Sequence, residues 1–335
     1  MTLLNKQIKL AKRPEGLPKP ETWTLEENSL REINEGEILI KNHFLSIDPA
    51  MRGWINSSRS YIPPVQIGEV MRAGTVGEII KSKNKSFELG TFVSGWGGVQ
   101  EFTISDGLGF YKVDVKKSPP ERYIGTLGMP GMTAYFGILD EGKIKKDDTV
   151  LVSGAAGAVG SIVGQIAKIK GCKVIGIAGG SEKCSYVRDQ LGFDNCIDYK
   201  DEYFIENLNS ACNNGIDIYF ENVGGPVSKT VAPLLNNSAR IPVCGFISQY
   251  NEDNILESDT PFKIFGKLKP KPFHRFFVVT EWMDEWDSAT HQLTEYILNN
   301  DIKYKETITK GFENAPQALR DVLTGKNFGK QLIEV

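Results

Sequence analysis

The sequence predicts an α/β fold: a doubly wound parallel sheet, joined to a smaller β-rich, barrel-like domain. Two observations point to the sheet. Residues 149–170, TVLVSGAAGAVGSIVGQIAKIK, run from a β-branched apolar stretch through Gly154, Gly157 and Gly160 into apolar residues at helical spacing. From residue 123 onward, strand-length apolar runs alternate with helix-length periodic segments, the pattern that builds parallel sheets. A third observation points to the second domain. Before residue 120, short strand-like runs follow one another closely, with glycine and proline turns between them.

In chain order, residues 8–16 and 23–27 read as the first strands, and 37–45 continues them with Glu37, Lys41 and His43 among apolar positions. Residues 46–53 turn into a short helix with Asp48 as its cap. A proline-stiffened loop over 60–68 precedes strands at 70–80 and 91–104, and the β-rich part ends near 118–120. Helices are then expected at 121–127, 132–142, 158–170, 182–191, 202–211, 227–235 and 284–299. Strands are expected at 149–153, 173–178, 195–198, 216–221, 239–244 and 275–280. Residues 249–272 form a long polar connection, read either as a substrate-side lid or subunit contact or as plain surface loop. A helix at 315–323 and a strand at 330–335 close the chain.

At 335 residues the chain can build two cores. A net charge of −3 with no basic run gives no footprint for nucleic acid. No stretch reaches the roughly 18 apolar residues of a membrane span, and the first residues lack a signal-like apolar segment. No nucleic-acid or membrane partner is expected, and the cytoplasm is the expected compartment. The five cysteines are scattered without a C-x-x-C pair, and the three histidines lie far apart. That pattern fits reduced thiols and no metal centre.

Strand, glycine turn and helix over 149–170 form a phosphate cradle. Glycines admit a pyrophosphate close to the backbone, and the helix start offers unpaired N–H groups. The spacing is G-x-x-G-x-x-G, with Ala155 where the commonest fingerprint has glycine; small residues here also permit plain helix–strand packing. The next strand ends Ala178-Gly179-Gly180-Ser181, without the carboxylate that binds a ribose 2′-hydroxyl. Lys183 follows in the first turn of the next helix, where a cation opposes the dipole unless an anion is bound. The plain alternative is a solvated lysine offset by Glu182. This reading favours NADP(H) over NAD(H). The crevice at the strands' carboxyl ends gathers 154–160, 179–183, Tyr199, 222–225 and 245–250.

With these residues in view, the chain resembles the medium-chain dehydrogenase/reductase superfamily, in its zinc-independent branch of double-bond reductases. Within that branch it resembles prostaglandin/leukotriene reductases, plant alkenal double-bond reductases and bacterial curcumin-reductase-like enzymes. The stretches that carry the resemblance are LSIDPAMRG (45–53), LGMPGMTAYFG (127–137), VSGAAGAVGSIVGQIAK (152–168), GFDNCIDYK (192–200), FENVGG (220–225), CGFISQY (244–250), FFVV (276–279) and NFGK (327–330). The resemblance implies a GroES-like catalytic domain over 1–122 completed by 303–335, and a Rossmann domain over 123–302. It also implies a homodimer. Zinc-dependent relatives carry a cysteine near Asp48 and a His-Glu pair where this chain has Ile67-Gly68-Glu69, so the zinc ligands are missing here.

Carried over by the same resemblance, Gly157, Ala158, Val159 and Gly160 lie on the pyrophosphate, and Lys183 and Tyr199 read the 2′-phosphate. Asn222 contacts the cofactor; its alternative role is that of a turn residue. Cys244, Gly245, Phe246, Ile247 and Ser248, with the backbone of Phe277, Val278 and Val279, flank the nicotinamide end. Asn327 adds a contact from the returning segment. Ala50 stands where many relatives have a tyrosine, which implies a roomier or less polar pocket. Tyr61 is either a replacement aromatic wall or an exposed loop residue.

Hydride transfer without a metal needs an acceptor already polarised, and an α,β-unsaturated aldehyde or ketone meets this need. Hydride goes to the β carbon, a hydrogen-bond donor stabilises the enolate, and a proton reaches the α carbon. Tyr250, a phenol protonated at neutral pH, is the candidate donor, assisted or replaced by water or a ribose hydroxyl. A quinone reductase of the same fold and a catalytically idle NADPH-binding protein are the alternatives.

Overall fold

β1 (Leu4–Leu10) buries Ile8 and Leu10, two residues apart on one face, and pairs antiparallel with β2 (Trp23–Ser29). After them come β3 (Ile38–Ile47), the single-turn helix α1 (Met51–Trp54), β4 (Thr75–Ser82), β5 (Phe92–Gly95), β6 (Phe102–Ser105) and β7 (Tyr111–Lys112). The one strand expected over 91–104 is therefore two, with Gly95 ending the first and Gly97 in the break, both where no side chain fits. A Cβ on Gly95 would lie 2.5 Å from the Phe110 ring, and one on Gly97 2.3 Å from Thr75 Oγ1. The helix expected at 121–127 is a single 3-10 turn, Pro120–Ile124.

The chain then enters its alternating half. α2 (Met129–Phe136) continues as a wider turn over Gly137–Glu141. It is followed by β8 (Thr149–Ser153), α3 (Gly160–Ile169), β9 (Lys173–Ala178), α4 (Ser181–Ser185), β10 (Asn195–Asp198) and α5 (Phe204–Ala211). β11 (Ile216–Phe220), α6 (Gly225–Val231), β12 (Leu235–Val243), α7 (Pro261–Gly266), β13 (Phe273–Phe276) and α8 (Trp286–Leu298) complete it. β14 (Glu306–Lys310), α9 (Ala315–Leu323) and β15 (Lys330–Glu334) end the chain. α7 lies within the connection expected to be loop, and β14 was not expected.

The computed structural model describes residues 3–57, 61–252, 254–255 and 257–335. Ser60 in the expected loop over 60–68, and Asp253 and Leu256 in the expected connection over 249–272, lie outside the described residues. By its contacts the chain forms two units, Met1–Gly125 with Glu306–Val335, and Thr126–Lys305.

In the second unit six strands form one parallel sheet in the order β10-β9-β8-β11-β12-β13. Strand order reverses between β8 and β11, so this is the doubly wound arrangement with its switch point there. All five residues of β8 are buried, as a strand covered on both faces must be. Leu151, Ile175, Ile218 and Tyr219 are completely buried. Each such apolar side chain contributes roughly 1.5–3 kcal/mol.

The first unit is built on β3. Its sheet runs β14-β15-β3-β4-β5-β7, with β6 also pairing β3; β14 and β15 are parallel and the other pairs antiparallel. Ile38, Ile40, Ile79 and Val93 fill one part of its core, and Val76, Ile124 and Leu332 another. Asp48 does not cap α1, whose start has no side-chain cap. Its carboxylate instead accepts Ser46 Oγ at 2.5 Å and Lys330 Nζ at 3.0 Å. Lys330 is buried, with an ammonium that also donates to the carbonyls of Ile47 and Gln331. A buried cation needs an opposite charge more than a four-residue helix needs a cap.

Candidate functional site

At the switch point the chain leaves β8 at Ser153 and β11 at Phe220, and the two exits are bonded to each other. Asn222 Nδ2 donates to the Ser153 carbonyl at 2.7 Å, and the Asn222 N–H donates to Ser153 Oγ at 2.9 Å. Beside them Glu221 is fully buried. Its Oε1 accepts the Tyr219 hydroxyl at 2.9 Å, the Val223 N–H at 2.8 Å and the Gly224 N–H at 3.0 Å. Ser228 Oγ donates to its other oxygen. A carboxylate taken out of water is tolerated when donors replace its hydration, and here they do. Glu221 thus fixes the turn that carries Asn222. Sequence reasoning missed it; the signal was an acid between an apolar strand and Asn-Val-Gly-Gly.

The glycine turn is shaped for close approach. Gly154 has φ +63°, and the Gly157 N–H closes the turn on the Gly154 carbonyl at 2.9 Å. A Cβ on Gly160 would lie 2.4 Å from that same carbonyl, so only glycine lets α3 begin here. Gly157, Ala158 and Val159 are partly exposed, while Gly160 is buried. No side chain caps α3, which leaves its positive end available to an anion.

At the ends of β9 and β10 the Tyr199 ring lies on the backbone of Gly179, where a Cβ would meet it at 2.7 Å. Asp198 Oδ1 accepts the N–H groups of Gly180 and Lys200 at 2.8 and 2.9 Å. The only carboxylate on these two strand ends is thereby engaged with backbone amides. Lys183 is half-buried. Burial, and then the positive charge of Lys200, hold its ammonium below the usual lysine range. Glu182 offsets part of this repulsion, and the two cations together suit an anion. Lys200 was also missed, although it ends the quoted motif at 192–200; its Nζ lies 5.9 Å from the Tyr199 ring centre.

The segment after β12 is tied to the segment after β11. The N–H groups of Cys244 and Gly245 donate to the Glu221 carbonyl at 2.9 and 3.2 Å, and those of Ile247 and Ser248 to Asn222 and Val223 at 3.1 and 3.0 Å. Burial pushes the Cys244 thiol up to about 12, with help from the Glu221 charge. The Tyr250 hydroxyl lies over Gly245, 2.5 Å from where a Cβ would stand, and accepts the Phe246 N–H at 3.3 Å. Phe246 and Tyr250 meet edge to face, with ring centres 5.4 Å apart. Phe277 is buried against Phe220 and Trp282, and its N–H donates to the Val243 carbonyl at 3.4 Å. The Val278 N–H is engaged by Glu281 Oε1 at 2.8 Å, and Val279 is buried.

Two candidates belong to the first unit. Asn327 sits in the turn before β15, with Nδ2 donating to the Gly329 carbonyl at 2.9 Å. Tyr61 is half-exposed, but its hydroxyl accepts Trp54 Nε1 at 2.9 Å. Trp54 in turn stands edge-on to Trp96, with ring centres 5.6 Å apart. Tyr61 is therefore anchored to a tryptophan pair.

The doubly wound sheet, with a glycine turn at its switch point and a carboxylate-free second strand end, is the arrangement that suits a dinucleotide. Residues 6–113 match the family described as the N-terminal domain of oxidoreductase, and residues 158–276 the family described as zinc-binding dehydrogenase. The NADPH-dependent curcumin reductase of Escherichia coli (strain K12) is 43% identical over 334 residues, 99% of this chain and 97% of that protein. Prostaglandin reductase 1 of Rattus norvegicus is 40% identical over 332 residues, 97% of each chain. The structure of CurA from Vibrio vulnificus in complex with NADPH matches with a TM-score of 0.94 at 44% identity, covering 98% of this chain and 99% of that one. The chain belongs to the medium-chain dehydrogenase/reductase family, in the branch that holds these reductases. Zinc stands in one family description, but among the described residues no group of three or more His, Cys, Asp or Glu side chains could hold a metal ion. No helix among the described residues is long and apolar enough to cross a membrane.

Proposed function

We propose that this protein is an NADPH-dependent reductase of the carbon–carbon double bond of α,β-unsaturated aldehydes and ketones, working without a metal. The observation that carries the cofactor preference is the pairing of Lys183 with Lys200 beside a strand end whose one carboxylate is held by backbone amides. The names of the curcumin and prostaglandin reductases, and the NADPH complex of CurA, support both cofactor and reaction.

When bound, NADPH supplies the hydride for the β carbon. The backbone of Gly157, Ala158, Val159 and Gly160 holds the pyrophosphate at the uncapped start of α3. Lys183, Lys200 and Tyr199 hold the 2′-phosphate. Asn222 keeps the β11 exit at the cofactor's edge, and 244–248 with 277–279 flank the nicotinamide end. The Tyr250 hydroxyl donates to the substrate carbonyl oxygen as negative charge builds there. By accepting the Phe246 N–H, that hydroxyl becomes a better donor, because hydrogen bonds in a chain polarise one another. The unit Met1–Gly125 with Glu306–Val335 is the catalytic domain in this reading, and Thr126–Lys305 the cofactor domain. A cytoplasmic homodimer belongs to the same reading; light scattering tests the dimer.

The deciding experiment follows NADPH consumption with alkenals, long-chain enones and quinones, before and after exhaustive chelation, and identifies the products. Saturated aldehydes and ketones, formed at the same rate after chelation, are expected. Turnover of quinones alone, or tight NADPH binding with no turnover, overturns the reaction.

A further inference from the structure

Arg275, in β13, joins two carboxylates that stand apart in the chain. Its Nη1 donates to Glu141 Oε1 and its Nη2 to Glu281 Oε2. Glu141 ends the wide turn Gly137–Glu141 and is buried. A carboxylate taken out of water needs a cation close by, and Arg275 supplies one. The planar guanidinium fork lets one side chain serve both acids, which the point charge of a lysine does less well.

Glu281 passes this hold on to the backbone. Its Oε1 accepts the Val278 N–H at 2.8 Å, and its own N–H donates to the Val278 carbonyl at 2.9 Å. Val278 is thus bonded to Glu281 through both of its backbone groups, as the residue before the 3-10 turn Val279–Glu285. The Glu281 side chain is 41% exposed, so without Arg275 it would be free to change rotamer.

The next residue back is held from another side. The Phe277 ring stands edge-on to Phe220 and to Trp282. A Cβ on Gly137 would lie 2.5 Å from that ring, so the turn that supplies Glu141 also makes room for Phe277. Packing fixes the backbone at 277, and the ionic chain Glu141–Arg275–Glu281 fixes it at 278. A part-exposed ion pair adds little to stability, so the use of Arg275–Glu281 lies in this geometry.

We propose that Arg275 is a positioning residue for hydride transfer: anchored on Glu141, it holds Glu281, and Glu281 sets the Val278 backbone for the nicotinamide end of NADPH. This role rests on the reading that 277–279 flank that end. A loosened segment there leaves the phosphate contacts intact and lets the nicotinamide wander, and small misplacements of a reacting group are costly.

The test compares the full chain with Arg275→Met, with Arg275→Met joined to Glu141→Gln so that no buried carboxylate is left unpaired, and with Glu281→Ala, which keeps Glu141 paired. Amide hydrogen exchange over 276–281, measured without cofactor, should be about tenfold faster in each variant. NADPH should bind about tenfold more weakly, whereas 2′-phospho-adenosine diphosphoribose, which lacks the nicotinamide, should bind as it does to the parent. Unchanged exchange over 276–281 in Glu281→Ala and in a folded Arg275 variant would overturn the clamp. Faster exchange with unchanged NADPH affinity, or equal weakening of both ligands, would overturn its role toward the nicotinamide. Enone turnover by the parent tests the reaction separately, since the exchange and the truncated ligand do not depend on it.

Discussion

The Asn222 amide reaches across the switch point to the Ser153 carbonyl, 2.7 Å away, and so joins the exits of β8 and β11. The two strand ends therefore hold one geometry before any cofactor arrives. Asn222→Ala should destabilise the protein by about 1–2 kcal/mol, because a part-buried carbonyl loses its donor. Asn222→Asp should cost more, since it sets a carboxylate oxygen against that carbonyl. Urea denaturation checks both, and NADPH titration should show weaker binding in the same order.

Lys183→Ala should weaken NADPH binding ten- to hundredfold, about 1.5–3 kcal/mol, with little change for NADH. Lys200→Ala should act in the same sense and less strongly. Calorimetric titration of each variant with both cofactors separates a phosphate contact from a general loss of folding, which would weaken the two equally.

Tyr250→Phe should lower enone turnover about tenfold, or ~1.4 kcal/mol, and leave NADPH affinity unchanged. The phenylalanine ring keeps the contact with Phe246, so only the hydroxyl is removed. Parental turnover under conditions where hydride transfer limits the rate would reduce Tyr250 to a wall of the site.

Glu306, at the start of β14, gives stability a pH dependence. Burial, and then the Glu121 charge, raise its carboxyl from 4.5 to about 7, against the opposing charges of Arg122 and Lys330. Its Oε1 is buried without a hydrogen-bond partner. The folded protein therefore binds this proton more tightly than the unfolded chain does. From this group, stability should be greatest below about pH 4.5, fall as the pH rises, and level off above about pH 7. Glu306→Gln should remove that slope and add about 1–2 kcal/mol at pH 8, with no gain at pH 4. Thermal melts across the range check it.

Much of the parallel sheet was legible in the sequence. The strands at 149–153, 173–178 and 195–198 stand where they were expected, because strands covered on both faces leave uninterrupted apolar runs between glycines. β14, Glu-Thr-Ile-Thr-Lys, was missed because its alternating polar residues give no such run. Within the candidate site, local motifs marked the glycine turn, Lys183, Tyr199 and the segment at 244–250. Glu221 and Lys200 escaped because burial and contacts across strands give them their roles: Ser153 of the neighbouring strand for one, Lys183 for the other. Asp48 was misread for the same reason. Its decisive partner, Lys330, is a residue of the last strand.

That last strand sets an order of events during synthesis. β15 lies inside its sheet, between β14 and β3, and brings the ammonium that neutralises Asp48. Every residue of Thr126–Lys305 is synthesised before β15 is made. The later-starting unit is thus fully translated, and most of it free to fold, while β3 still shows an unpaired edge over Phe44–Ile47. A nascent chain stalled before Lys330 leaves that edge open and the Asp48 charge without its lysine.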